Sequence, residues 1–218
     1  MATCFMGQKD TWSSHGEVLS APTSAPRVSP APPREGGAFS GFFNAHVTGR
    51  GIEKPVHYFP AYQRSLAQFI GRSEVPVVEV GVESGGSLEM WRSVLGPGAR
   101  LYGVDVSAAT KVHEHADERT WIFVGDQADP RFWAEFRRRV PRVDILIDDG
   151  GHTPEQQITT FGEMFAHLSP GGVYITEDIF HVGNPFWRSF RLTEPFSVPS
   201  GGPWPQARTE IATWLGRL

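Results

Sequence analysis

From about residue 53 onward, apolar and polar positions fall into two alternating rhythms. Five short apolar runs, Val75–Val80, Arg100–Asp105, Trp121–Asp126, Val143–Asp148 and Val173–Asp178, have the length and β-branched character of buried strands. Helical spacing separates them. Ala61–Gly71 carries Leu66, Phe69 and Ile70 on one face, with Gly71 as its stop. Ser87–Leu95 is closed by Gly96-Pro97-Gly98, and a polar helix is expected to start near Ser107. Another helix is capped by Asp129, with Pro130 at its first position. Thr153-Pro154-Glu155-Gln156 reads as a capping box, followed by an apolar stripe of Ile158, Phe161, Phe165 and Leu168. Strands alternating with helices predict an α/β fold: a Rossmann-like, doubly wound, mostly parallel sheet.

The two ends lack this rhythm. Residues 1 to about 40 are rich in Ser, Ala, Pro and Gly and have no apolar period, which predicts a disordered tail ahead of a domain over 41–218. Residues 180–205 are rich in Pro, Phe and Trp without strand alternation. Pro205–Leu218 predicts a helix, with Ile211, Trp214, Leu215 and Leu218 on one stripe.

Composition narrows the class. A chain of 218 residues that is 39% hydrophobic suits a soluble domain with a substantial core. Its net charge of −4 offers no electrostatic basis for binding nucleic acid. No apolar run approaches the roughly 20 residues that span a bilayer. The one cysteine, Cys4, excludes an intrachain disulfide and argues against a thiol metal site. The expected location is the cytoplasm. A transit peptide is the weaker reading of the tail, because Asp10, Glu17 and Glu35 are acidic.

In doubly wound sheets, ligands bind beyond the carboxyl ends of the strands. The first strand runs into Gly81-Val82-Glu83-Ser84-Gly85-Gly86-Ser87, where glycines admit close backbone approach and a helix N-terminus follows. Asp105 ends the second strand, where a carboxylate grips the ribose of an adenosine ligand; its bland role is to cap the next helix. The turn is not the Gly-x-Gly-x-x-Gly dinucleotide pattern, which argues against a nicotinamide-linked oxidoreductase. Two further strands end in Asp148-Asp149-Gly150-Gly151-His152 and Glu177-Asp178. Asp149 and Glu177 lie 28 residues apart, room for one helix and one strand, so both return to one sheet edge. Carboxylates there suit Mg²⁺, and His152 is placed to take a proton from a metal-held hydroxyl. Taken singly, these residues read as turn caps and surface charge. Asp148 either meets a cofactor or braces its loop, and His57 and Tyr58 read equally well as a helix-entry staple.

Glu79-x-Gly81 followed by Gly85-Gly86-Ser87 resembles the first motif of class I S-adenosylmethionine-dependent methyltransferases. Lys54–Tyr62 (KPVHYFPAY), Val80–Trp91, Gly96–Asp105, Gly125-Asp126-Gln127, Ile147–Gln157 and Pro170–Asp178 together resemble the Mg-dependent macrolide and rhamnosyl sugar O-methyltransferases. The resemblance covers about residues 53–182. It implies S-adenosylmethionine and Mg²⁺ as cofactors and a hydroxylated small molecule as acceptor. It further implies Asp149, Glu177 and Asp178 as metal ligands, with His152 as general base and Asp149 beside it in catalysis. Glu79, Gly81, Gly85, Ser87, Asp105, Asp126, Gln127, Asp148 and Tyr58 are implied at the cofactor. Against that family's fold, the C-terminal antiparallel hairpin (strands six and seven) is expected to be missing. This would leave an open sheet edge that a second copy of the chain is placed to cover. The alternative function is then a non-catalytic, cofactor-binding remnant.

Overall fold

The computed structural model describes residues 37–180 and 209–215, with side chains described over 37–179. These residues fall in one compact unit, Glu35–Leu218. Five strands, β1 (Val75–Val80), β2 (Ala99–Asp105), β3 (Thr120–Val124), β4 (Val143–Asp148) and β5 (Leu168–Phe180), form the predicted parallel sheet. A sixth, β6 (Thr209–Leu215), completes the order β3-β2-β1-β4-β5-β6. The order reverses between β1 and β4, which pair in parallel, so the crevice outside their carboxyl ends is the topological switch point.

Period-2 alternation sends successive side chains of each central strand to opposite faces. Val77, Ile145 and Ile175 pack beneath helices α1 (Gly37–Ala45), α2 (Phe59–Leu66) and α3 (Gly86–Leu95). Val78, Leu146 and Tyr174 pack on the other side, against Trp133 and Phe136 of α4 (Pro130–Arg139) and Phe161 and Met164 of α5 (Pro154–Met164). Both faces are covered, which is why these strands read as nearly continuous apolar runs.

The sequence expectations hold for all five strands and for α3 to α5. Asp129 caps α4 by accepting from Arg131 N, and the Thr153–Gln156 capping box of α5 is complete in both directions. Four differences stand out. The polar segment after β2 forms two short 3-10 turns, Ala108–His113 and Ala116–Glu118, in place of an α-helix. The helix expected over 61–71 begins two residues earlier, at Phe59, and closes with a 3-10 turn over Ala67–Phe69. Helix α1 begins at Gly37, inside the stretch expected to be a tail, because Phe39 is a core residue whose ring meets Tyr62 and Trp91 edge-on. The remainder of that tail, and residues 181–208, lie outside the described residues.

The fourth difference is a correction. The helix expected over 205–218 is overturned by β6, which pairs antiparallel with β5 from Val173↔Leu215 to Phe180↔Thr209. Thr209, Ile211, Thr213 and Trp214 favour extended backbone, and pairing along β5 satisfies groups that a lone helix would leave to water. The edge of β5 is therefore covered by this chain itself, and the expected open edge is not found there. The β5–β6 register shifts between Thr176 and Ile179, so the ladder is interrupted over Glu177 and Asp178.

Candidate active site

The loops after β1, β2, β3, β4 and β5 surround a cavity of about 480 Å³ at the switch point. Six carboxylates line it, from Glu53, Glu83, Asp105, Asp126, Asp149 and Asp178, with no lysine or arginine among its lining residues. Such a wall favours a ligand bearing positive charge.

Backbone geometry makes the cavity possible. Gly81 N donates to Val104 O at 2.8 Å, and Asp149 N donates to Val80 O at 3.0 Å, so the turns after β1 and β4 are drawn together. Gly81 has φ +87°, and a Cβ there would stand 2.0 Å from the Asp149 carbonyl oxygen. Only glycine fits. Asp105 holds the β1 turn from the other side. Its Oδ2 accepts from Val82 N (2.9 Å) and Glu83 N (3.1 Å), and its Oδ1 accepts from Ser107 N (2.8 Å).

Of the residues expected at a cofactor, Gly81, Asp105, Asp126 and Gln127 line the cavity. Glu79, Gly85, Ser87, Asp148 and Tyr58 do not line it, and each has a framework role. Buried Glu79 accepts from Trp91 Nε1 at 2.9 Å and from Ser87 Oγ at 2.8 Å. Gly85 is the left-handed residue preceding α3, with φ +77°. Asp148 is buried and accepts from Gln127 Nε2 at 3.0 Å, while Gln127 Oε1 receives Gly151 N at 2.7 Å. Of the two readings kept open for Asp148, bracing the loop has these hydrogen bonds in its support. Burial pushes the Asp148 carboxyl up to about 7, against the lowering effect of the Gln127 hydrogen bond.

At the cavity mouth, Asp149, His152 and Asp178 each offer a ligand atom, all within 4.8 Å of one another. His152 Nε2 lies 4.0 Å from Asp149 Oδ1 and 3.9 Å from Asp178 Oδ2. Carboxylate oxygens at this spacing, part exposed and backed by an imidazole, fit a hard divalent cation. His152 (φ +58°) and Asp178 (φ +50°) both occupy left-handed backbone, as does Glu83 (φ +46°). Of the four described non-glycine residues with positive φ, three therefore line this cavity, the pattern expected where a site over-determines its backbone.

Glu177, expected as a third metal ligand, has a buried side chain that lies beside the Asp149–His152–Asp178 group rather than within it. Oε1 accepts from Tyr62 Oη at 2.6 Å and Oε2 from Lys54 Nζ at 3.0 Å. The Lys54 ammonium also donates to Asp149 Oδ2 at 2.7 Å and lies 3.7 Å from Glu79 Oε1. Burial works to lower the Lys54 pKa, but Asp149, Glu177 and Glu79 together outweigh it and raise the pKa well above its ordinary value. Burial likewise raises the Glu177 carboxyl, with Lys54 opposing. Tyr58 Oη donates to Asp178 Oδ1 at 2.8 Å and accepts from Asp178 N at 3.2 Å. Sequence reasoning passed over Lys54 and Tyr62 and placed Tyr58 at the cofactor. The signal was present in the spacing of three donors at every fourth position.

Residues 78–179 match the family described as a methyltransferase domain. The 8-demethyl-8-α-L-rhamnosyl tetracenomycin-C 2′-O-methyltransferase of Streptomyces olivaceus is 35% identical over 141 residues, 62% of this chain and 35% of that protein. Demethylmacrocin O-methyltransferase of Streptomyces fradiae is 36% identical over 144 residues, 62% of this chain and 34% of that protein. A solved methyltransferase from the mycinamycin biosynthetic pathway, MycE, in complex with Mg and SAH, superposes with a TM-score of 0.56 at 32% identity. That superposition covers 65% of this chain and 39% of the other. The chain thus spans about a third of the length of the curated relatives it matches.

Proposed function

We propose that this chain, whose residues 78–179 match the family described as a methyltransferase domain, transfers the methyl group of S-adenosylmethionine, with Mg²⁺, to a hydroxyl of a sugar or glycosylated small molecule. The observation that carries the reading is the convergence of Asp149, Asp178 and His152 at the mouth of a cavity whose far wall ends in Asp105. The named relatives are O-methyltransferases of a rhamnosyl tetracenomycin and of demethylmacrocin, and the solved relative carries Mg and SAH. The carboxylate-rich lining suits a methyl donor with a positively charged sulfonium.

A sugar hydroxyl is too weak an acid to be a nucleophile at neutral pH. Asp149 and Asp178 would hold a divalent cation, which would supply the Lewis acidity that makes it one. His152 Nε2, within 4.0 Å of both carboxylates, accepts the hydroxyl proton. S-adenosylmethionine bound there would supply the methyl carbon for the hydroxyl oxygen, and its sulfur would keep the electrons of the broken carbon–sulfur bond. Asp105 and the β1 turn anchor the adenosine end and so fix the line of attack, while Gln127 braces the β4 loop that carries Asp149 and His152.

The test uses labelled S-adenosylmethionine, a panel of deoxysugar-bearing acceptors, Mg²⁺ and EDTA. Transfer is expected with Mg²⁺ and not with EDTA. His152→Ala is expected to lose roughly 10²–10⁴-fold in turnover while binding S-adenosylhomocysteine as the wild type does by calorimetry. Full turnover in EDTA would sink the proposed mechanism.

A further inference from the structure

Each carboxylate at or behind the cation site is held from the rear by a donor of one short segment, and those donors lie four residues apart. Lys54 Nζ holds Asp149 Oδ2 at 2.7 Å, Tyr58 Oη holds Asp178 Oδ1 at 2.8 Å, and Tyr62 Oη holds Glu177 Oε1 at 2.6 Å. Lys54 lies in the extended stretch just before a 3-10 turn over Val56–Tyr58, which runs directly into α2. Helical spacing brings Tyr58 and Tyr62 onto one face, so the helical segment presents two donors to Glu177 and Asp178 while Lys54, just before it, reaches Asp149 and Glu177. All three donors are buried. The oxygens they leave, Asp149 Oδ1 and Asp178 Oδ2, are the two that face His152.

We propose that Lys54, Tyr58 and Tyr62 are positioning residues of this site. Lys54 fixes one oxygen each of Asp149 and Glu177, Tyr58 one of Asp178 and Tyr62 the other of Glu177, and Lys54 and Tyr58 thereby turn the second oxygens of Asp149 and Asp178 toward a shared divalent cation. The proposal rests on the reading of Asp149 and Asp178 as cation ligands. It adds a source for their orientation that lies in the sequence before residue 78, where the matched domain begins. Three reasons favour a positioning role over plain packing. Each of the three donors makes its shortest bond to a different acid, and Lys54 reaches Glu177 as well. Tyr58 both donates to the Asp178 side chain and accepts from its backbone N–H, clamping a residue at φ +50°. Finally, the β5–β6 ladder is interrupted at Glu177 and Asp178, so the sheet itself does not set their direction.

The test is Mn²⁺ binding to the full chain, followed by electron paramagnetic resonance of the free ion. It compares wild type, Tyr58→Phe and Asp178→Asn, with S-adenosylhomocysteine affinity measured alongside. Removing a partner that orients a ligand costs about 10–100-fold in metal affinity. Tyr58→Phe is therefore expected to weaken Mn²⁺ binding by about that factor, approaching Asp178→Asn, with S-adenosylhomocysteine affinity unchanged. If wild type and Tyr58→Phe bind Mn²⁺ equally while Asp178→Asn does not, the positioning role is wrong and the cation site stands. If wild type binds no Mn²⁺, both fail. A Tyr58→Phe chain with lowered melting temperature and unaltered Mn²⁺ affinity also overturns the proposal, since it marks a packing role alone.

Discussion

Asp148 and Asp149 are adjacent residues of one type with opposite fates. Asp149 turns outward to Lys54, His152 and the cavity, whereas Asp148 turns inward among Gln127, Thr160 and Tyr174. Burial raises the folded-state pKa of Asp148 to about 7 from its ordinary value of 3.8. Below about pH 4 the group is protonated in both folded and unfolded chains and contributes no pH dependence. Between about pH 4 and 7 the unfolded chain releases the proton while the folded chain keeps it, so stability falls as pH rises and levels off above 7. At about 1.4 kcal/mol for each tenfold, the penalty at pH 8 is on the order of 4 kcal/mol. Asp148→Asn is therefore expected to unfold at higher denaturant than wild type at pH 8, to converge with it near pH 4, and to show a flatter profile between. Equal pH profiles would remove the charge argument. Residue identity alone could not separate the two aspartates. Strand periodicity puts them on opposite faces, but which face is wet depends on the helix packed there.

Among elements, the legible ones announced themselves through uniform burial. Val143–Asp148 is buried at every position, and its sequence is apolar apart from Asp144 and Asp148. Helix α5 was legible from Thr153 and Gln156 alone, because a capping box is a local motif whose hydrogen bonds need no distant partner. Helix α1 and strand β6 were not legible, each for its own reason. Phe39, Phe42 and Phe43 have helical spacing, but they follow a long Pro- and Gly-rich stretch whose composition hides them. In β6, a stripe at 211, 214 and 215 satisfied the helical period, while the decisive fact, an unpaired edge on β5, is tertiary. Phe39→Ala tests whether α1 is part of the core: a loss of about 3–5 kcal/mol is expected for a fully buried phenylalanine, against well under 1 for a tail residue. Chemical denaturation of the purified chain measures it directly. At the site, the outward acids and His152 were readable from strand-end spacing. The turn of Glu177 toward the interior was not, because it depends on Lys54, which is 123 residues away.

At the scale of the molecule, the cavity is built from the ends of five strands, so a ligand there ties together loops from across the sheet. Binding to the folded state alone stabilises all of it by mass action: about 2.7 kcal/mol at a hundredfold excess over Kd. S-adenosylhomocysteine should therefore raise the midpoint of global thermal unfolding, with a further rise on adding Mg²⁺ if Asp149 and Asp178 hold the cation. NAD should leave the midpoint where it was. An equal shift with NAD would contradict a cavity shaped for an S-adenosyl ligand. The row of donors at Lys54, Tyr58 and Tyr62 has a consequence for descent. The acids and the groups that aim them sit on separate stretches, one ending at residue 62 and the other opening at residue 78. A genetic crossover in the short interval between would give a daughter chain the acids of one parent and the donors of the other. Such a hybrid could fold well and still mis-aim its acids, so the two stretches should pass together through the family's history.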